Sequence, residues 1–229
     1  MPTNSGSDTP KRDRGRTMQP TDGRFSEIVT TESQFRAVIG HPSHRVQGKH
    51  IAALDEHCRA FIAKCPFVLI ASAGAAGNMD VSPKGDPPGF VRVLDDTTLA
   101  IPERPGNRHA DTFSNLVQNR HVGLLFLIPG KQETLRVSGT AVIVRDRWLR
   151  DEMAIAGKTP EFAIAVTVKE AFFHCAKCII RSRLWDTTTW PDVAGLPSLA
   201  RAMVDAGKLK ETPEEMQALI DKDARERLY

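Results

Sequence analysis

The sequence is short of the features that would assign it to several large classes of protein. It has four cysteines in 229 residues, Cys58, Cys65, Cys175 and Cys178, and a disulfide framework is not expected of it. No apolar run approaches the roughly 20 residues needed to cross a bilayer. The opening MPTNSGSDTPKRDRGR has no apolar stretch after its charges, so no secretory signal is expected and the default location is the cytoplasm. Charge of either sign is nearly balanced, at +3 overall. Residues 1–24 hold Lys11, Arg12, Arg14, Arg16 and Arg24 against Asp8, Asp13 and Asp22, which leaves little excess for the rest of the chain. A clustered basic face is therefore missing, and nucleic acid is not an expected partner. No Walker loop, no GxGxxG and no Ser–His–Asp elbow occurs, and no histidines fall in HxxxH metal spacing with a carboxylate nearby.

What is present reads as a soluble, mainly β domain with flanking helices. Residues 1–24, rich in Pro, Gly, Ser, Thr and charge, are expected to be a disordered tail. Residues 25–229 are expected to form one domain. Ile51, Leu54, Cys58, Phe61 and Ile62 recur at helical spacing and predict a helix over 49–64, stopped at Pro66. The period then shortens. FVLIASA (67–73), MDVSP, FVRVL, TLAIP and HVGLLFLIPG are strand-like runs separated by Gly, Pro and Asp turns. A helix is predicted over 110–119, with Phe113, Leu116 and Val117 on one face.

TLRVSGTAVIV alternates most clearly. Leu135, Val137, Ala141 and Ile143 point one way and Thr134, Arg136, Ser138 and Thr140 the other, with Gly139 marking a bend or bulge. A short helix at 147–155 follows, and FAIAVTVKEAFFHCAKCIIRSRLW supplies one or two further strands. Six or seven short strands with few helices between them argue for an antiparallel barrel. Two helices close the chain over 198–228, the second announced by Thr212, Pro213, Glu214 and Glu215.

Three groups of residues carry chemistry. In IPERPGNRHAD (101–111), Arg104, Gly106, Asn107 and Arg108 lie between a strand and a helix. Two guanidinium groups, an amide and fresh helical N–H groups suit a phosphate, and a solvated polar turn is the competing reading. Lys84 in SPKGD adds a cation from a neighbouring strand, and Arg136 lies opposite the apolar face of its own. A donor there sits beside the edge of a flat ring held by the barrel, or simply faces water. IIRSRLW groups Arg181, Ser182, Arg183 and Trp185, which can stack on a ring and contact a phosphate, or close the core with the arginines in water. His174 and the CxxC of Cys175 and Cys178 lack further ligands for zinc; in their apolar run the thiols read as small buried hydrophobes.

Taken in order, DVSPKGD, LAIPERPGNRHADTFSNL, VGLLFLIPG, ETLRVSGTA and FHCAKCIIRSRLW resemble the pyridoxamine 5′-phosphate oxidase-like FMN-binding proteins, nearest a bacterial branch of unassigned substrate. DEHCRAFIAKCPF resembles that branch's leading helix, and the resemblance spans about residues 30–200. It implies an antiparallel split barrel, a homodimer, and one FMN in each of two clefts between subunits. It implies Lys84, Arg104, Asn107 and Arg108 around the FMN phosphate and ribityl chain, Thr134 and Arg136 near the isoalloxazine, and Arg181 and Trp185 arriving from the partner subunit. His109 stands where relatives often carry another arginine, and the longer C-terminal substrate signature of the vitamin B6 oxidases is not found. The implied function is FMN binding with flavin-dependent oxidoreductase activity on an unknown substrate. A non-enzymatic FMN carrier or sensor is the alternative, and pyridoxamine 5′-phosphate oxidation ranks last. Related barrels also take deazaflavin or haem.

Overall fold

The computed structural model describes residues 24–106 and 108–229. The expected disordered tail, but for Arg24, and the expected phosphate ligand Asn107 lie outside the described residues. The chain divides after Ser43 into two compact units. In the first, helix α1 (Glu32–Ile39) starts at Thr31, whose hydroxyl accepts from the Gln34 N–H while the Gln34 side chain returns to the Thr31 N–H. This reciprocal cap satisfies two of the donors that every helix start leaves open.

The second unit, residues 44–229, is built on one seven-stranded antiparallel sheet. A single turn, α2 (His44–Gln47), precedes helix α3 (Glu56–Lys64). Strands β1 (Phe67–Ala73), β2 (Met79–Gly85), β3 (Arg92–Asp95) and β4 (Thr98–Pro102) follow. Helix α4 (Asp111–Leu116), β5 (His121–Leu127), β6 (Thr134–Val144), α5 (Arg147–Glu152) and β7 (Ala163–His174) come next. Then come α6 (Lys177–Ser182), α7 (Leu199–Gly207) and α8 (Pro213–Glu226). The sheet order is β2-β1-β5-β6-β7-β4-β3, and the two outer strands, β2 and β3, do not pair with each other. The fold is thus mainly β, antiparallel and split along one seam.

Alternation fixes which residues enter the core. Val68 and Ile70 of β1, Leu124 and Phe126 of β5, and Leu135 and Val137 of β6 are buried on one face. Cys58, Phe61 and Ile62 of α3 cover that face. Each such aliphatic or aromatic side chain contributes about 1.5–3 kcal/mol when taken fully from water. A smaller cluster, Ala100, Leu149, Met153 and Ala163, lets α5 pack on β4 and β7. At Gly139 the β6–β7 register shifts, so β7 carries one extra residue, Lys169. The bulge predicted from that glycine is present.

Several expectations need correction. The first core helix begins at Glu56, not near 49, because Asp55 caps it and Ile51 is drawn into backbone pairing with Ala171. Helix α4 ends at Leu116, which leaves Val117 76% exposed instead of on the buried face. The segment IIRSRLW is no strand: its first residues continue α6, and Arg183 leaves that helix with φ of 50°. Cys175 and Cys178 are exposed, and the buried thiols are Cys58 and Cys65. The apolar run around the CxxC ends with β7, and the turn into α6 carries both thiols to the surface.

Candidate functional site

Two neighbouring cavities, of about 610 and 430 Å³, flank the segment that follows β4. Strand β4 ends at Pro102, whose ring and fixed φ suit a strand terminus. Glu103, Arg104, Pro105 and Gly106 line both cavities, and Arg108 lines the larger. Arg108 and Ala110 both adopt the left-handed conformation, at φ of 61° and 54°. Such backbone costs of order 1–3 kcal/mol per non-glycine residue and recurs at ligand-binding segments. Strand β2 brings Ser82 and Lys84 to the smaller cavity, where they meet Thr112 of α4. Thr112 is buried and donates to Ser82 Oγ at 3.0 Å, and Ser82 in turn donates to Asp80 at 2.9 Å. This chain of hydroxyls fixes α4 on β2.

Two cations of this cleft, Lys84 and Arg104, are paired. Lys84 Nζ lies 2.7 Å from Glu103 Oε2. Arg104 Nε lies 2.6 Å from Asp86 Oδ2, and its Nη2 donates to the Met153 carbonyl at 2.9 Å. The Asp86 side chain is only 1% exposed, so losing Arg104 leaves a buried charge unmatched. The other Asp86 oxygen accepts from the Tyr229 hydroxyl at 3.1 Å. Burial first, and the hydrogen bond to Asp86 second, hold the Tyr229 phenol above its ordinary pKa. His109 Nδ1 sits 3.0 Å from Asp111.

Thr134 and Arg136 lie elsewhere. They line a third cavity of about 480 Å³, walled by Leu69 of β1, Leu125 of β5 and Phe172 of β7. Register places Thr134 opposite His174 and Arg136 opposite Phe172. The Arg136 guanidinium stands 5.1 Å from the Phe172 ring centre, and Lys49 Nζ is also 5.1 Å from it. His50 stacks on the same ring at 4.1 Å and pairs with Glu170 at 2.9 Å. One aromatic ring therefore carries two cations and an imidazole. Cys178 and Ile179 of α6 complete the wall, whereas Arg181 and Trp185 do not line it. The Trp185 indole donates to the Lys131 carbonyl at 2.7 Å. Within one chain, then, Lys84, Arg104 and Arg108 share a cleft, Thr134 and Arg136 share a second cavity, and Arg181 and Trp185 join neither.

Among the described residues, no group of three or more His, Cys, Asp or Glu is placed to hold a metal ion, and no helix is long and apolar enough to cross a membrane.

A family model described as pyridoxamine 5′-phosphate oxidase matches residues 54–175, from the residue before the α3 cap to the residue after β7. The chain belongs to the pyridoxamine 5′-phosphate oxidase family. That match takes in all seven strands and the cleft segment, and it stops before α6. Solved structures give partial likenesses. HupZ of Group A Streptococcus is 18% identical over 52% of this chain and 93% of its own, at a TM-score of 0.44. General Stress Protein 26 of Bacillus anthracis is 12% identical over 50% and 88%, at 0.40. An FMN-binding protein of Syntrophomonas wolfei is 11% identical over 50% and 86%, at 0.39. No curated protein matches.

Sequence reasoning found the cations and missed what they touch. Asp86 and Glu103 stand in the very segments that were singled out, but nothing local says that β2 and the end of β4 meet across the seam. Tyr229 lies 143 residues from Asp86 and carried no signal at all.

Proposed function

We propose that this protein binds FMN and acts as a cytoplasmic, flavin-dependent oxidoreductase, assembled as a homodimer with each flavin between subunits. The observation that carries the reading is the convergence of Lys84 of β2 with Arg104 and Arg108 of the strained segment after β4 on one cleft. Family membership supports it.

The residues present fit the cofactor's chemistry. A phosphate dianion needs cations and N–H donors, and a flat tricyclic ring needs an apolar slot with a few donors at its edge. The cleft supplies the first and the cavity of about 480 Å³ the second. FMN, when bound, supplies hydride-transfer chemistry of its own. In this reading Arg108, with Asn107, takes the phosphate, and Lys84 and Arg104 add charge by sharing themselves between carboxylate and phosphate. Thr134 and Arg136 orient the ring edge, and Arg136 offsets negative charge that gathers there. Leu69, Leu125 and Phe172 exclude water. Arg181 and Trp185 serve the site of the partner subunit.

The test is the absorbance spectrum of purified protein, with the ligand identified after denaturation, then anaerobic reduction by NADH or NADPH and reoxidation by oxygen. Released FMN that cycles between the two states supports the oxidoreductase. Bound FMN that no reductant touches supports a carrier or sensor instead. Aerobic incubation with pyridoxamine 5′-phosphate checks the family's namesake reaction. A colourless protein that also refuses added FMN overturns the reading.

A further inference from the structure

The last residues of α8 lead into the cleft just described. Arg227 folds back on Asp223 at 2.7 Å, and beyond it Leu228 and Tyr229 enter the space beside the β4–α4 segment. Tyr229 is held there by three contacts. Its hydroxyl donates to Asp86 at 3.1 Å, its ring lies 5.7 Å from the Arg104 guanidinium carbon, and its backbone oxygen accepts from Lys158 Nζ at 2.7 Å. All three partners belong to the walls or the foundation of the cleft.

We propose that residues 227–229 form a displaceable plug, in which Tyr229 occupies the cleft and a phosphate-bearing ligand expels it from Arg104. The inference rests on the reading of this cleft as the phosphate site. The first argument is competition. The Tyr229 ring lies against the guanidinium, and its hydroxyl and Arg104 Nε are bound to the two oxygens of one carboxylate. Arg104 and Tyr229 line the same two cavities, so a phosphate that reaches Arg104 there competes with the ring for space.

The second argument is the nature of the hold. Leu228 is 62% exposed, and neither it nor Tyr229 belongs to the buried core. Polar contacts and one cation–ring contact fasten the segment, and phosphate can replace the two made to cations, Lys158 and Arg104. The pair beneath is different: Asp86 is buried and stays matched by Arg104 when Tyr229 leaves.

The third argument is charge. Departure of Tyr229 frees Lys158, which lines the larger cavity with Arg104 and Arg108, against Glu103 and Glu161. Expulsion of the plug thus adds one unengaged ammonium group to the cleft at the moment an anion enters. An unfavourable opening step of this kind lowers the apparent affinity by the fraction of molecules that are open.

The chain has one tyrosine, so protein grown on 3-fluorotyrosine gives a single fluorine resonance that reports Tyr229 alone. FMN is the probe, titrated into the full chain with the resonance and flavin fluorescence followed together, and into Tyr229→Ala and Tyr229→Phe by fluorescence. The resonance is expected to move to the position of the unfolded protein as FMN saturates. Tyr229→Ala is expected to bind FMN roughly tenfold more tightly, the loss of one hydrogen bond and one ring contact. Tyr229→Phe, which keeps the ring, is expected to fall between. FMN binding with an unmoved resonance, or with an affinity that is equal or weaker in both variants, overturns the plug alone and makes Tyr229 a wall of the site. Failure of all three proteins to bind FMN overturns the flavin reading, and the plug with it.

Discussion

Gly139 is the residue on which the pairing of the two longest strands depends, and it offers a severe test of the sheet. A methyl group at this position would lie 2.0 Å from the Thr167 carbonyl oxygen, 3.0 Å from its carbon and 3.3 Å from Val168 Cα. All three are backbone atoms of β7, so no side-chain rotation relieves the clash. Restoring ordinary contact requires the strands to part by more than an ångström, which lengthens the flanking N–H···O bonds past any useful distance. Two ladder bonds at about 1 kcal/mol each, plus the cost of leaving their buried groups unpaired, put Gly139→Ala at about 3–5 kcal/mol. At roughly 2–4 °C per kcal/mol for a domain of this size, its Tm should fall by about 6–20 °C. Gly123 on β5 is the control, since a methyl there meets nothing nearer than Ala71 Cβ at 3.9 Å. Gly123→Ala should leave Tm unchanged or raise it slightly. Thermal unfolding followed by circular dichroism measures both, with urea titration as a check. A Gly139→Ala protein within about 1 kcal/mol of the parent would refute the bulge and the register built on it.

The remaining predictions concern the thiols. A disulfide-exchange reagent at neutral pH should modify two thiols per chain, Cys175 and Cys178, and reach Cys58 and Cys65 only after denaturation; four fast thiols in the native protein would contradict the burial described. Burial, and then the neighbouring Asp55, push the Cys58 thiol up to about 12 from an ordinary value of 9.0. The raised value favours the neutral thiol in the folded state, so its contribution is intact below about pH 9 and is lost as pH rises toward about 12. Urea midpoints measured from pH 7 upward should fall through that window, and Cys58→Ala should flatten the fall.

The strands were legible because their chemistry is local. In β6, period-two alternation and one glycine were enough to predict the strand, its buried face and its bulge. Helix boundaries were less legible, since Ile51 and Leu54 fit a helical stripe and yet serve the core from outside the helix. Ile179 and Ile180 continue an apolar run that reads equally as strand or helix, and only the end of β7 at His174 decides for α6. In the candidate site, the sequence displayed the cations because arginine beside glycine before a helix is a recognisable pattern. It concealed their partners because Lys84–Glu103 and Arg104–Asp86 form across the seam, which depends on the order of all seven strands. Tyr229 required the whole chain to be folded.

The seam between β2 and β3 carries a cost that the rest of the sheet does not, because an open edge invites another chain to add a strand and begin a polymer. Each edge is defended in its own way. Strand β2 places Pro83, which has no N–H to offer, beside Lys84, and ends before the consecutive prolines Pro87 and Pro88. Strand β3 has four residues, begins with Arg92, ends with Asp95 and shifts register before it pairs out. Guarded edges let the sheet stay open at the one place where a cleft has to form, without making the molecule prone to aggregate through it.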